Sequence, residues 1–192
     1  MKNGLLITCL VFLITSCSNY SKSKGNSKTS NAINSIESPR ITLFLTSSSS
    51  AVSSKVISLL PFKPNDRTIC YIRTAGFPDG NVPPSLNSEM ETLFNLGFKV
   101  KSIDLAILEP EDLEEAFSEC DLFWVCGGNT LYLLQEVRRS GFDNFVTNKI
   151  LEGIPYVGSS AGSIILGPDV EFERFACDIT EAPNLTSYEG LN

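Results

Sequence analysis

The chain has 192 residues, with 15 Lys or Arg, 22 Asp or Glu and no histidine, for a net charge of −7. That length suffices for one domain with a sizeable core. Residues 41–192 hold ten Lys or Arg against twenty-one Asp or Glu, a net charge of −11, and so acidic a domain repels phosphate backbones and argues against nucleic acid as a partner.

Lys2 precedes an almost wholly apolar stretch from Leu5 to Thr15, which closes on Ser16-Cys17. A charged start, an apolar centre and small residues at the end are the layout of a secretion signal. The run is short of the ~20 residues that cross a bilayer as a helix. The small residues before Cys17 resemble the bacterial lipoprotein box. That resemblance implies a leader of residues 1–16, cleavage before Cys17, and a lipid on Cys17 that anchors an extracytoplasmic protein to a membrane. A plain secretion signal or a short anchor are the other readings. Residues 17–40 are rich in Ser, Asn and Lys. They cannot bury enough apolar surface to fold, so they read as a flexible tether. The domain is expected over 41–192.

Ile41 to Thr46 reads as a buried strand, and Ser47 to Ser50 as a polar turn. Val52, Val56, Leu59 and Leu60 share one helical face, and Pro61 ends that helix. Thr68 to Thr74 is the second strand. A loop rich in Gly and Pro follows from Ala75 to Pro84, then a helix from Ser85 to Asn95, closed by Gly97. Phe98 to Leu105 reads as a strand, and Glu109 to Glu119 as an acidic helix with Pro110 in its first turn. Asp121 to Cys126 is the fourth strand, stopping at Gly127-Gly128-Asn129-Thr130. Leu131 to Arg139, followed by Gly141, and Asp143 to Leu151 are expected helices. Ile154 to Val157 is the fifth strand. Strands alternating with helices at this spacing predict an α/β fold, a mainly parallel sheet covered on both faces. In such folds the site lies beyond the carboxyl ends of the strands.

Gly158-x-Ser160-x-Gly162 follows that fifth strand, and Ala161 to Leu166 reads as the start of a helix. The pattern is that of a nucleophile elbow, a sharp strand-to-helix turn with a serine at its apex. Gly158 and Gly162 relieve crowding on either side of the serine. The N–H of Ala161 points to the same spot as the hydroxyl, and the positive end of the helix suits an oxyanion. Three fixed positions of common residues also occur in plain turns, but the strand–turn–helix setting favours the elbow. Gly127-Gly128-Asn129 reads both as a tight turn capped by Asn129 and as a source of a second N–H for an oxyanion hole. The two readings are compatible. Cys9 would leave with the leader. Cys70, Cys120, Cys126 and Cys177 have no CxxC spacing, which argues against zinc, and Cys70 and Cys126 sit in apolar runs as core residues. No metal or organic cofactor is called for.

Ile41 to Ser47 (ITLFLTS), Cys126 to Leu134 (CGGNTLYLL), Arg138-Arg139-Ser140-Gly141 and Tyr156 to Gly162 (YVGSSAG) resemble peptidase family S51. That family includes peptidase E, the aspartyl dipeptidase, and the related cyanophycinases. Gly167-Pro168-Asp169, Ala182-Pro183 and Tyr188-Glu189-Gly190-Leu191 resemble its peptidase E-like branch. The resemblance implies a three-layer α/β/α sandwich shared with class I glutamine amidotransferases, with Ser160 where those enzymes have a cysteine. It implies a serine peptidase acting on short peptides, those with an N-terminal aspartate among them. Ser160 would attack the scissile carbonyl, and the N–H groups of Ala161 and of Gly127 or Gly128 would hold the oxyanion. Glu181 matches the position of an acidic partner that is Asp in peptidase E, and Asp178 is its near neighbour. The base would be a histidine shortly after the segment matched by Tyr188 to Leu191, and this sequence has none. The resemblance therefore implies a domain truncated before its base. Activity would be impaired, since general-base help is worth roughly 10²–10⁴-fold. The alternative is a non-catalytic, small-ligand-binding domain of amidotransferase type. An amidotransferase proper is disfavoured, because a serine ionises far less readily than a thiol.

Overall fold

The structure, a computed structural model, describes residues 40–78, 80 and 83–192 and the backbone of residues 12–14. Cys17, the tether up to residue 39 and most of the expected leader lie outside the described residues. Six strands form one sheet: β1 (Phe12–Ile14), β2 (Leu43–Thr46), β3 (Thr68–Ile72), β4 (Lys99–Ile103), β5 (Leu122–Val125) and β6 (Tyr156–Ser159). Their order is β1-β2-β6-β5-β3-β4. β2 to β6 all pair in parallel. β1 adds an antiparallel edge, with Phe12 opposite Leu45. Cleavage before Cys17 would take β1 away and bare that edge of β2.

The central strands are short apolar runs, TICYI in β3 and LFWV in β5, and every residue of both is buried. Such runs suit parallel strands covered on both faces. Alternation along β5 shows the two layers. Trp124 donates from Nε1 toward Ser49 Oγ at 3.3 Å, where α1 (Ser49–Leu59) and α2 (Pro84–Asn95) cover one face. Phe123 points the other way. Its ring lies 5.7 Å from Phe117, beyond α3 (Leu113–Ala116), and 5.9 Å from Phe142 of α5 (Phe142–Leu151). α4 (Thr130–Arg139) packs beside α5. The mainly parallel three-layer α/β/α arrangement is the expected one. Among the described residues no helix is long and apolar enough to cross a membrane.

Several boundaries differ from expectation. α1 starts inside the serine run, and it buries Ser49, Ser53 and Val56 while Leu59 is exposed. The hydroxyl and N–H of Ser49 are satisfied inside the fold, which sets the helix phase ahead of the apolar pattern. β3 ends at Ile72, because Thr74–Gly76 turns into a 3₁₀ helix. The expected helix over 109–119 is broken into a 3₁₀ turn, Pro110–Asp112, and the single turn of α3. Glu111, Asp112, Glu114 and Glu115 crowd like charge there, and only Leu113 anchors the turns in the core. β6 lies two residues later than expected. Leu43 pairs with Tyr156 and Thr46 with Ser159, so Gly158 and Ser159 are sheet residues.

Candidate active site

The carboxyl ends of β2, β6, β5 and β3 carry the candidate residues. Ser160 follows β6 directly, with φ 45° and ψ −110°. For a residue with a side chain this conformation costs on the order of 1–3 kcal/mol and persists only where its surroundings enforce it. They do so here through the backbone. Ser160 donates its N–H to the Thr46 carbonyl at 2.8 Å, and its own carbonyl accepts from Ser163 and Ile164 at 2.8 and 2.9 Å. The side chain is exposed, and among the described residues Ser160 Oγ has no hydrogen-bond partner.

Gly158 and Gly162 explain why the turn can be so sharp. A Cβ on Gly158 would stand 2.6 Å from the Gly162 carbonyl oxygen, and one on Gly162 would strike the Val125 carbonyl. Tyr156 sets the spacing from below. Its hydroxyl donates to the Gly162 carbonyl at 2.6 Å, and burial followed by nearby Cys126 raises its pKa, which keeps the proton on. Ser163 Oγ accepts from Thr46 N–H at 3.0 Å and donates to the Thr46 carbonyl at 2.9 Å. Ser159 Oγ accepts from Ser49 N–H at 3.0 Å. These hydroxyls tie β2 and α1 to the elbow. α6 (Ala161–Ile164) is a single turn, so the expected helix dipole is small, and any oxyanion donation rests on the Ala161 N–H itself.

The Gly127-Gly128-Asn129 turn packs on the serine. A Cβ on Gly127 would lie 3.1 Å from Ser160 Cβ, so Gly127 is the one of the two glycines that borders the candidate nucleophile. Gly128 has φ 146° and sits against the Ala75 carbonyl with no room for a side chain. Among the described residues the N–H groups of Gly127, Gly128 and Ala161 make no backbone hydrogen bond. Asn129 caps α4, accepting from Leu131 and Tyr132 N–H at 2.9 and 3.0 Å.

Asn129 also reaches a strap, residues 170–184, that lies across α4. Its Nδ2 donates to Glu181 Oε2 at 2.7 Å and to the Asp178 carbonyl at 2.8 Å. Thr130 donates its hydroxyl to Glu173 at 2.7 Å. Glu181 and Ser160 therefore meet the same turn, one through Asn129 and one through Gly127, but share no hydrogen bond. Asp178 is spent locally. Its carboxylate accepts from Thr180 Oγ1 and N–H at 2.7 and 2.9 Å, and the same contacts hold its pKa below the usual carboxylate value.

Sequence reasoning missed a buried polar cluster beneath the site. The Glu89 carboxylate on α2 accepts from Ser49 Oγ, from Tyr71 Oη at 2.6 Å and from Trp124 Nε1 at 3.4 Å. Three neutral donors surround it without a cation. Burial, then Glu89, pushes the Cys126 thiol up to about 12. Cys126 thus stays protonated and offers no rival nucleophile. Cys70 is buried in β3. The Arg138-Arg139 pair proves to be a staple. Arg138 donates to the carbonyls of Ser187 and Glu189, and Arg139 to those of Leu105 and Leu108. Ser163, three residues past Ser160 on the same helical side, was the one missed position with a readable signal.

A family model described as Peptidase family S51 matches residues 43–192. An uncharacterized peptidase from Listeria monocytogenes is 33% identical over 152 residues, which cover 78% of this chain and 72% of that one. Peptidase E from Shewanella amazonensis is 31% identical over 129 residues, 67% of this chain and 52% of that one. A Listeria monocytogenes crystal structure described under the name Peptidase E superposes with a TM-score of 0.72 at 31% identity, covering 78% of this chain and 73% of that one. A peptidase from an acI-B1 actinobacterium is 18% identical with a TM-score of 0.52, over 78% and 63% of the two chains, and shares the fold.

Proposed function

The chain belongs to peptidase family S51 and is a serine peptidase by that membership; we propose that Ser160 is its nucleophile and that it cleaves short peptides. The observation that carries this reading is the strained, exposed Ser160 with Gly127 packed against its Cβ. Attack by Oγ on a peptide carbonyl places charge on the carbonyl oxygen. The N–H groups of Ala161 and Gly127, without a backbone partner among the described residues, are the nearest candidates to receive it, and donors of this kind are worth roughly 10²–10³-fold each. Glu181, held by Asn129, is the acidic partner in this proposal. Peptides with an N-terminal aspartate are the substrates that the resemblance to peptidase E implies.

A serine hydroxyl needs a base to lose its proton, and the 192 residues contain no histidine. We infer that these residues alone hydrolyse slowly and that an external base speeds them. The test is hydrolysis of a dipeptide panel with and without added imidazole. Acceleration by imidazole that vanishes in Ser160→Ala supports the proposal; hydrolysis unchanged in Ser160→Ala sinks it. The absent histidine also favours a second reading, a pocket that binds a small ligand without cleaving it. Ligand binding with no hydrolysis at any imidazole concentration would favour that reading.

We propose, from the sequence alone, that a lipid on Cys17 tethers the domain outside the cytoplasm. Incorporation of labelled palmitate by the wild type and not by Cys17→Ser is the expected result, and labelling of neither removes the anchor.

A further inference from the structure

Arg73 stands one residue past the end of β3, on the same edge of the sheet as Ser160. Its N–H donates to the Ile103 carbonyl at 3.0 Å, which fixes the backbone. Its guanidinium lies over the Phe77 ring, 4.7 Å from the centroid. Its Nε is buried and has no hydrogen-bond partner. Among the described residues no carboxylate pairs with it, whereas Arg67, Arg139, Lys149 and Arg174 all have acidic partners. Arg138 is satisfied by carbonyls, and the lysines at 55, 63, 99 and 101 stand in solvent. Arg73 is thus a half-buried cation with no acidic partner among the described residues, in a domain of charge −11.

A buried donor without a partner costs about 1–3 kcal/mol and calls for an explanation such as a bound group. The surroundings say where that group would lie. Arg73 opens the turn to Gly76, and this turn is packed on the glycines that border Ser160. Asn129 N–H donates to the Ala75 carbonyl at 2.8 Å, and Gly76 faces the Gly127 carbonyl. The geometry points to Arg73 as the specificity residue that receives a carboxylate of the peptide held at Ser160. A planar guanidinium with five N–H donors matches a carboxylate in two parallel hydrogen bonds, and Phe77 holds that plane in place. This inference rests on the reading of the elbow as the active face. The carboxylate has two sources, an acidic first side chain or the peptide's own C-terminus.

The test is a titration of the full chain followed on the Arg73 Nε–H resonance by NMR. One arm adds Asp-Leu amide, whose only carboxylate is the side chain; the other adds Asn-Leu free acid, whose only carboxylate is terminal; Asn-Leu amide is the control. A shift of the Arg73 signal in either charged arm but not with the control is expected, and the arm that responds names the source. Arg73→Met should weaken that binding by about tenfold or more, the loss expected for one charge-assisted pair, while Arg73→Lys restores part of it. An Arg73 signal that ignores all three peptides overturns the inference, and the wild-type spectrum decides this even if the variants do not fold. Imidazole-assisted hydrolysis at Ser160 reads a different atom. Hydrolysis with a silent Arg73 overturns this inference alone; an Arg73 shift without hydrolysis leaves the carboxylate site standing and removes the peptidase reading.

Discussion

The elbow and the strap both meet the Gly127-Gly128-Asn129 turn, yet they are held there by different forces. The elbow is fixed by backbone in contact with backbone. Gly158 faces the Gly162 carbonyl, Gly162 faces Val125, and Ser160 N–H is bonded to Thr46. The strap hangs on side chains: Asn129 to Glu181, Thr130 to Glu173, and Gln135 Oε1 accepting from Asn184 N–H at 2.7 Å. Its outer side exposes Phe172, Phe175 and Ile179. Close packing resists displacement at every atom, whereas a few side-chain hydrogen bonds contribute about 1 kcal/mol each. The elbow should therefore be rigid, and the strap should open first.

The sharpest way to break that contrast is Gly128→Ala. The added methyl would meet the Ala75 carbonyl at a φ of 146°, and we expect a loss of more than about 4 kcal/mol in urea unfolding. A variant of near wild-type stability would mean that the turn is not packed as described. Glu89→Ala removes the foundation under the elbow. Ser49, Tyr71 and Trp124 would keep buried donors without an acceptor, at a cost of about 3 kcal/mol. Near-neutral unfolding data would contradict a role for the cluster.

Asn129→Ala tests the strap. It removes both a helix cap and the anchor of Glu181, for about 1–2 kcal/mol, and hydrogen exchange should quicken over residues 171–182 while the elbow stays protected. Equal loosening of both regions would erase the distinction between them. The smallest effect is with acid. The Asp178 pKa is lowered by its Thr180 contacts, so its contribution is present above the usual carboxylate value of about 3.9 and lost as pH falls through the lower folded value. Chemical shifts of Thr180 should move below about pH 4 before those of Ser160, and simultaneous movement would count against the comparison.

The same difference explains what the sequence made readable. Glycines report the elbow, because residues 158, 162 and 128 stand where a side chain would collide with backbone, and residue 127 where it would press on the Cβ of Ser160. Short, unbroken apolar runs report β3 and β5, because both faces of those strands are covered. Neither signal exists for the strap, whose partners lie more than forty residues away through Thr130, Asn129 and Gln135. Glu89 was hidden for a related reason. In its helix it reads as one more acidic position, and only the sheet brings Tyr71 and Trp124 to it. Arg73 was hidden in the run read as a strand over 68–74, since nothing local marks an arginine that has no acidic partner among the described residues.

The central claim is that Ser160 is the reactive group. It is tested most directly by treating the chain with a fluorophosphonate, with and without imidazole, and mapping the adduct by mass spectrometry. The account predicts one slow modification on Ser160, quickened by imidazole and lost in Ser160→Ala. An adduct on another residue, or none even with imidazole, would contradict it.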